Sequence, residues 1–183
     1  MTGQHRQLGR PPFSKGVLTM QLGPSEPLDP RALRDAFGSF ATGVTVVTLC
    51  DNQQNPIGVT VGSFTSLSLD PALCLFSLKK NSNTAQWIDQ KPNFVVNILG
   101  RDQEPLAWQF ARSADEKFVG IAWQAGANGM PVIEGCLGHF ECQRWAVYDG
   151  GDHMIVVGQI TAMTRHPGLP LVFFRGQMGG FSG

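Results

Sequence analysis

Seven short apolar or alternating segments, separated by clusters of Gly, Pro, Asn and Asp, constrain the fold of this chain more than any other feature. Runs of this length between turn residues are typical of β-strands. Seven such strands with a few helices in one chain predict an antiparallel barrel or sandwich. The predicted strands cover residues 44–50, 57–64, 72–79, 93–99, 137–148, 153–166 and 170–175.

Three helices are predicted around these strands. The first begins in "DPRALRDAFGSF", where Asp29 is the expected N-cap and Pro30 occupies the first helical position. Its apolar residues fall on one face, which contains Leu33, Ala36, Phe37 and Phe40. The other two helices are predicted at residues 83–90 and 103–112.

Length and composition limit the possible functions. A chain of 183 residues suits one domain, here residues 28–183, preceded by an irregular arm of residues 1–27 that is rich in Gly, Pro, Gln and Ser. Lys and Arg total 14 and so do Asp and Glu, which argues against a nucleic-acid or anionic-membrane surface. No apolar run approaches a membrane span and the four cysteines lack CxxC spacing. A cytoplasmic protein with reduced, mostly buried thiols is expected.

Side-chain catalysis has no visible motif in this sequence. It contains no HExxH, GxSxG or Walker-type GxxxxGK, and its four histidines are not paired at metal-binding spacing. The sequence therefore predicts no metal site and no catalytic side chain. If the protein is an enzyme, a bound cofactor is expected to carry the reaction.

A row of small hydroxyl residues runs through "GVTVGSFTSLSLDP", residues 58–71. Small side chains, close backbone N–H groups and hydroxyls suit a flat heterocycle with carbonyls and ring nitrogens. Read as one strand, the segment could supply them through Gly62, Ser63, Thr65 and Ser66. An edge strand with its polar face in water is the alternative.

Two further segments have functional and purely structural interpretations. In "LKKNSNTAQW", lysines precede a helix start, so Ser82, Asn83 and Thr84 could bind a phosphate or merely cap the helix. In "YDGGDHMIVVGQI", a Gly-rich turn delivers Asp152 and His153 to a strand, as a ligand contact or as an ordinary hairpin turn.

Together these segments resemble the short-chain flavin reductase family, whose members supply reduced flavin to two-component monooxygenases. The resemblance covers about residues 31–178. The matching segments include "LRDAFGSFATGVTVVT", "GVTVGSFTSLSLDPALCLFSL", "NFVVNIL", "GGDHMIVVGQI" and "PLVFFRGQ".

The resemblance implies a mainly β fold, namely a six-stranded antiparallel Greek-key split barrel with a few short flanking helices. It also implies two sets of binding residues. The nicotinamide nucleotide is expected at Gly151, Asp152 and His153. The flavin is expected at Thr42, Gly43, Thr60, Val61, Gly62, Ser63, Phe64, Ser66, Ser68, Ser82, Asn83, Thr84 and Phe110.

The implied activity is NAD(P)H:flavin oxidoreductase, with hydride transfer from the nicotinamide to N5 of FAD or FMN. NADH is favoured over NADPH, since no Arg cluster lies beside the GGDH turn. The expected partners are a second copy of the chain and a flavin-dependent monooxygenase. Two alternatives remain: a flavin-binding protein that stores or senses flavin, and an FMN enzyme similar to pyridoxamine-phosphate oxidase.

Overall fold

The computed structural model describes residues 28–113 and 116–181, so the predicted arm of residues 1–27 lies outside the described residues. Within those ranges the chain forms helices α1 (Pro30–Phe37), α2 (Asn83–Ile88) and α3 (Glu104–Ala111), the last preceded by a 3-10 turn at Arg101–Gln103. The strands are β1 (Thr42–Gly43), β2 (Thr45–Cys50), β3 (Pro56–Val61), β4 (Thr65–Leu69), β5 (Ala72–Lys79), β6 (Asn93–Ile98), β7 (Trp123–Ala125), β8 (Pro131–Ile133), β9 (Gly138–Gly150), β10 (His153–Arg165), β11 (Leu171–Phe174) and β12 (Gln177–Gly180).

The predicted mainly β architecture is confirmed. In the described part of the chain, the main sheet has seven strands in the order β3-β2-β6-β9-β10-β5-β4, and all its pairs are antiparallel. A three-stranded sheet (β1-β11-β12) and a β7-β8 hairpin accompany it. The main sheet has one strand more than the six implied by the family resemblance. The run predicted as a strand at 57–64 ends at Val61, and the chain resumes as β4 at Thr65.

The main sheet curls until β3 lies against β5. These two strands form no hydrogen-bonded ladder among the strand pairs of the described residues, so the barrel is split along a seam between them. The seam matters for function because two strand ends and the start of α2 converge there.

Strand β2 shows why the barrel forms, since every one of its residues is buried. Its side chains alternate between two apolar clusters, as the two faces of a strand require. Val47 and Leu49 pack inside the barrel, while Val46 packs outside it with Val44, which precedes the strand, in the cluster that includes Phe110 of α3. The barrel wall therefore has one core inside it and a second core beneath α3.

Helix α1 begins as the sequence predicts. The Asp29 carboxylate accepts hydrogen bonds from the backbone N–H groups of Arg31 and Ala32, both at 3.2 Å. Pro30 occupies the first turn, where it leaves no backbone donor unsatisfied. The apolar face of α1 is not packed into the core, however, and Phe37 is 69% exposed.

The four cysteines are free and buried, as expected from their apolar surroundings. Among the described helices, none is long and apolar enough to cross a membrane.

Candidate functional site

A groove opens along the barrel seam and has two connected parts. The larger part has a volume of about 1380 Å³ and extends from the seam to α1. The smaller part, of about 320 Å³, lies between the ends of β3 and β5 and reaches the start of α2. Gly62, Ser63, Ser77 and His153 line both parts. We call these four residues the junction.

Ser63 fixes the backbone at the junction. Its Oγ accepts a hydrogen bond from Ser77 N at 2.9 Å and donates one to Ser77 O at 3.2 Å. This side chain thus pairs with β5 as a neighbouring strand would, at the point where β3 has ended. The hydroxyl predicted as a ligand donor is therefore engaged with the barrel itself.

Gly62 is exposed at the junction and has little room for a side chain. A Cβ built on Gly62 would lie 3.1 Å from Thr42 Oγ1, closer than most real Cβ contacts. Thr42 lines the larger part of the groove beside it. A residue without a side chain therefore lets a ligand approach the backbone between β3 and β4.

Thr60 fixes β3 to α3. Its Oγ1 donates to Ala107 O at 2.7 Å, and Lys117 Nζ donates to Gly58 O at 3.3 Å and to Phe110 O at 2.9 Å. Partial burial lowers the pKa of Lys117. These bonds hold the strand that leads into the junction against the second core.

His153 stands where β10 begins, opposite Lys79 of β5. Its Nδ1 lies 2.8 Å from Asp152 Oδ1, and this hydrogen bond lowers the pKa of the Asp152 carboxyl below its usual value. An ionised carboxylate only accepts, so Nδ1 is the donor. The other ring nitrogen, Nε2, is then available to a ligand in the groove.

The hairpin turn before His153 is secured to β5. Lys80 Nζ forms an ion pair with Asp149, and the Asp149 carboxylate also accepts from Gly151 N at 3.0 Å. The backbone closes the contact, since Lys80 N donates to Asp152 O at 3.1 Å. The turn is therefore fixed relative to the seam.

A lysine side chain brings positive charge to the α2 end of the groove. Lys79 and Ser82 both line the smaller part. Ser82 Oγ accepts from Ala85 N at 3.2 Å, so the predicted helix cap is present. Of the other two residues predicted for a phosphate, Asn83 is exposed outside the cavity lining, and Thr84 is 3% exposed within the fold.

The structure brings together part of the predicted flavin set. Six of those residues line the groove, namely Thr42, Thr60, Val61, Gly62, Ser63 and Ser82. Gly43, Phe64, Ser66, Ser68, Asn83, Thr84 and Phe110 lie outside its lining.

The reasons differ for the outlying residues. Phe110 is fully buried and packs edge-on against Phe118, with 5.0 Å between ring centroids. Phe64 packs on Phe140 at 5.7 Å, against the barrel core. Ser66 and Ser68 lie on β4, beyond the chain turn at the junction.

Of the predicted nicotinamide residues, His153 lines both parts of the groove. Gly151 and Asp152 form the turn behind it, with Gly151 at φ +81°, a conformation that favours glycine.

Sequence reasoning missed several lining residues. Ser77 is a polar residue within the apolar run of β5, and this interruption was the available signal. The α1 end was missed because an amphipathic helix is normally expected to bury its apolar face. The missed residues there are Arg34, Asp35, Phe37, Ser39 and Phe40.

Comparison with known proteins identifies the family. The model of the flavin reductase like domain matches residues 37–182. The chain belongs to this family. A flavin-dependent monooxygenase reductase subunit, HsaB of Mycobacterium tuberculosis, is 38% identical over 159 residues, which cover 85% of this chain and 84% of HsaB. The NADH:FAD oxidoreductase SgcE6 of Streptomyces globisporus C-1027, solved with NAD and FAD fragments, is similar with a TM-score of 0.80 and 37% identity, over 86% of this chain and 98% of SgcE6.

A probable flavin reductase of Rhizobium meliloti (strain 1021) is 44% identical over 138 residues, or 75% of this chain. This chain covers only 44% of that relative's length. The flavin reductase fold of the described residues is thus shared with longer and with similarly sized proteins.

The junction of this flavin reductase domain fits a flavin. Gly62 exposes its backbone there without a side chain, and the groove provides hydroxyl groups, backbone and apolar surface around it. A flat ring system with a polar edge needs these surroundings.

Proposed function

We propose that this protein is an NAD(P)H-dependent flavin reductase that reduces FAD or FMN and passes reduced flavin to a partner monooxygenase. The observation that carries the proposal is the junction. There, an open backbone segment at Gly62 and the ring of His153 line the same cavity, which is large enough for two ring systems.

Bound flavin and nicotinamide supply the redox chemistry themselves, by transfer of a hydride from the reduced nicotinamide to flavin N5. The protein has to bring the two rings close together and orient them. Ser63 holds the backbone of the junction to β5, and Thr60 holds β3 to α3. Because both hydroxyls bond to the protein, the shape of the junction is set before any ligand arrives.

His153 serves in this proposal as a positioning donor or acceptor for the nicotinamide nucleotide. Asp152 holds Nδ1, so Nε2 is the ring nitrogen that can reach a ligand. No proton needs to be transferred by His153 in a hydride step, which agrees with the expectation that no side chain acts as a catalytic acid or base.

The flavin phosphate is proposed to lie at the α2 end of the groove. Lys79 provides positive charge there, beside Ser82. The sequence also favoured Asn83 and Thr84, and the burial of Thr84 leaves Lys79 and Ser82 as the better-placed pair.

A homodimer is proposed as the working form. Large apolar side chains are exposed on the edge strand β4, where Leu67 is 50% and Leu69 is 94% exposed. A second copy of the chain would remove this surface from water. A cytoplasmic location is proposed as well, supported by the four free thiols, which suit a reducing compartment.

Steady-state assays test the proposed function. Purified protein is mixed with FAD or FMN and with NADH or NADPH, and nicotinamide oxidation is followed together with oxygen consumption. We expect turnover that depends on both substrates and is faster with NADH. Tight flavin binding without nicotinamide oxidation would instead favour the alternative, a protein that stores or senses flavin.

A further inference from the structure

Strand β3 forms one wall of the groove, through the residues at its end. In the described part of the chain it is an edge strand of the main sheet, paired with β2 and without a ladder on the side of the seam. An edge strand has a row of backbone groups that no neighbouring strand holds. The position of β3, and of Gly62 directly after it, therefore depends on contacts from outside the sheet.

Lys117 makes such a contact from an environment that is unusual for a lysine. Its side chain is half-buried, whereas lysine side chains are mostly exposed. Across residues 28–113 and 116–181, no carboxylate forms an ion pair with it, and burial lowers the pKa of its ammonium group. Burying an unpaired ammonium costs free energy that an apolar side chain would not cost. Charged groups retained in such surroundings are concentrated at functional sites.

Both hydrogen bonds of Lys117 go to main-chain carbonyls. Phe110 O, near the end of α3, accepts from Nζ at 2.9 Å, and Gly58 O of β3 accepts from Nζ at 3.3 Å. A cation is favoured at a helix C-terminus, where the last carbonyls have no partner within the helix. A single ammonium group thus joins the end of α3 to the strand that leads to Gly62.

The segment that carries Lys117 is itself attached to α3. Gln109 Nε2 donates to Lys117 O at 2.8 Å and to Val119 O at 3.0 Å. Between these two carbonyls, the Phe118 ring packs edge-on against Phe110. The lysine therefore extends toward β3 from a backbone that is held on both sides.

Helix α3 and strand β3 are in close contact where Lys117 joins them. A Cβ on Gly58 would lie 2.9 Å from the Phe110 ring, so no side chain separates the strand from the helix there. Further along β3, Thr60 Oγ1 donates to Ala107 O at 2.7 Å. A displacement of the end of α3 would therefore move β3 and change the shape of the groove wall.

We propose that Lys117 is a positioning residue for flavin reduction, whose ammonium group fixes β3 against α3 and so sets where the backbone at Gly62 meets the flavin. The inference rests on the proposed function, because it assumes that flavin binds at the junction. Lys117 does not line the groove and needs no contact with either substrate. Such a residue can matter greatly, since a misplacement of about 1 Å can cost roughly 100-fold in rate.

Lys117→Met tests the proposal, because Met has a similar length and cannot donate a hydrogen bond. FMN binding is measured by fluorescence titration and by the visible circular dichroism of the bound flavin, which reports the orientation of its ring. Bleaching of bound FMN by NADH is followed anaerobically. At a temperature where the variant is fully folded, we expect the Kd for FMN to rise and the bleaching rate to fall, each about tenfold.

Two variants serve as controls. Lys117→Arg keeps the positive charge and the N–H donors, so it should restore affinity and rate to within about twofold of wild type. Arg112→Met removes an exposed charge directly after α3, outside the groove lining, and should behave as wild type.

Wild-type affinity and rate in folded Lys117→Met would overturn the inference, as would a Lys117→Arg variant that is equally impaired. If Lys117→Met does not fold, Gln109→Leu decides, because it releases the segment that carries Lys117. We then expect a smaller loss of affinity and rate, and wild-type values would refute the role of Lys117.

Failure of the proposed function gives a different result. If wild-type protein binds FMN but NADH does not bleach it, the proposed function is wrong. The affinity and the visible circular dichroism of the variants, which need no turnover, then still decide the role of Lys117. A wild-type protein that binds no FMN would contradict both proposals.

Discussion

The junction and the end of the groove nearest α1 are two ends of one cavity, and they are built in different ways. The junction is attached to the barrel by the Ser63–Ser77 and Thr60–Ala107 hydrogen bonds, with the buried side chains of the core behind it. The other end is bordered by α1, which lies wholly within the described ranges and buries none of its residues. Residues that line the junction thus also support the fold, whereas the residues of α1 that line the groove do not.

The largest expected effect separates two phenylalanines at the two ends of this comparison, Phe110 in the core beneath α3 and Phe37 on the exposed face of α1. Phe110→Ala should lower the free energy of unfolding by about 3–5 kcal/mol, because it empties a buried site in the core beneath α3. Phe37→Ala should change it by no more than about 0.5 kcal/mol, since that ring is mostly exposed. Urea unfolding of both variants measures the difference. Equal losses of unfolding free energy in the two variants would mean that α1 is part of the core.

The comparison also explains what the sequence could predict. Most of the longer strands and the Asp29 cap follow from local patterns and appear in the structure. The chain turn between β3 and β4 does not, because it depends on Ser63 bonding to Ser77, fourteen residues away on β5. The exposure of the apolar face of α1 could not be predicted either, since amphipathic periodicity indicates an apolar face but not what covers it.

Among the predicted site residues, several small ones line the groove, whereas the two phenylalanines lie outside its lining. Gly62 and Ser63 line the groove as the family resemblance implied. Phe110 lies outside the groove lining because its ring packs closely on β3. A Cβ on Gly58 would lie only 2.9 Å from that ring. Such packing depends on residues distant in sequence.

A kinetic effect is expected next, at His153. Replacement by Ala should raise the KM for NADH about tenfold, equivalent to one good hydrogen bond, and should leave flavin affinity nearly unchanged. The maximal rate should fall less, because lost uniform binding appears mainly in KM. Steady-state rates against NADH concentration test this, with His166→Ala as a control outside the groove. Wild-type kinetics for His153→Ala would make it a turn residue alone.

Ser63→Ala should have a smaller effect on stability than Phe110→Ala and a measurable effect on the junction. Loss of its two bonds to Ser77 should cost about 1 kcal/mol, since the group is exposed. Flavin affinity should also fall, because the backbone between β3 and β4 is then no longer held to β5. Thr65→Ala is the control, as its hydroxyl contacts only the neighbouring Ser66 carbonyl among described groups. Flavin titrations of both variants decide whether Ser63 positions the junction.

The smallest effect concerns pH. The hydrogen bond from Lys80 holds the pKa of Asp149 below its usual value, followed in importance by the bond from Gly151 N. A carboxyl whose folded-state pKa is lowered adds stability above its unfolded pKa of about 4, and that stability is lost as the pH falls through the folded value. Asp149→Asn should therefore be slightly less stable than wild type at neutral pH and nearly equal in acid. Urea unfolding of both proteins at neutral and at acid pH checks this. A stability difference that persists in acid would contradict a stabilising role for the ionised Asp149 carboxylate.

The most direct test of the central claim, that flavin is reduced at the junction, is a single-turnover measurement on Gly62→Leu. Flavin and protein are mixed anaerobically with NADH, and the visible absorbance of oxidised flavin is followed for wild type, Gly62→Leu and the control Gly179→Leu, whose Cβ would meet no described atom within 4 Å. We expect rapid bleaching by wild type and by the control. We expect little or none by Gly62→Leu, whose circular dichroism should remain that of the folded barrel. Bleaching by folded Gly62→Leu at the wild-type rate would contradict reduction at the junction and place flavin reduction elsewhere on the molecule.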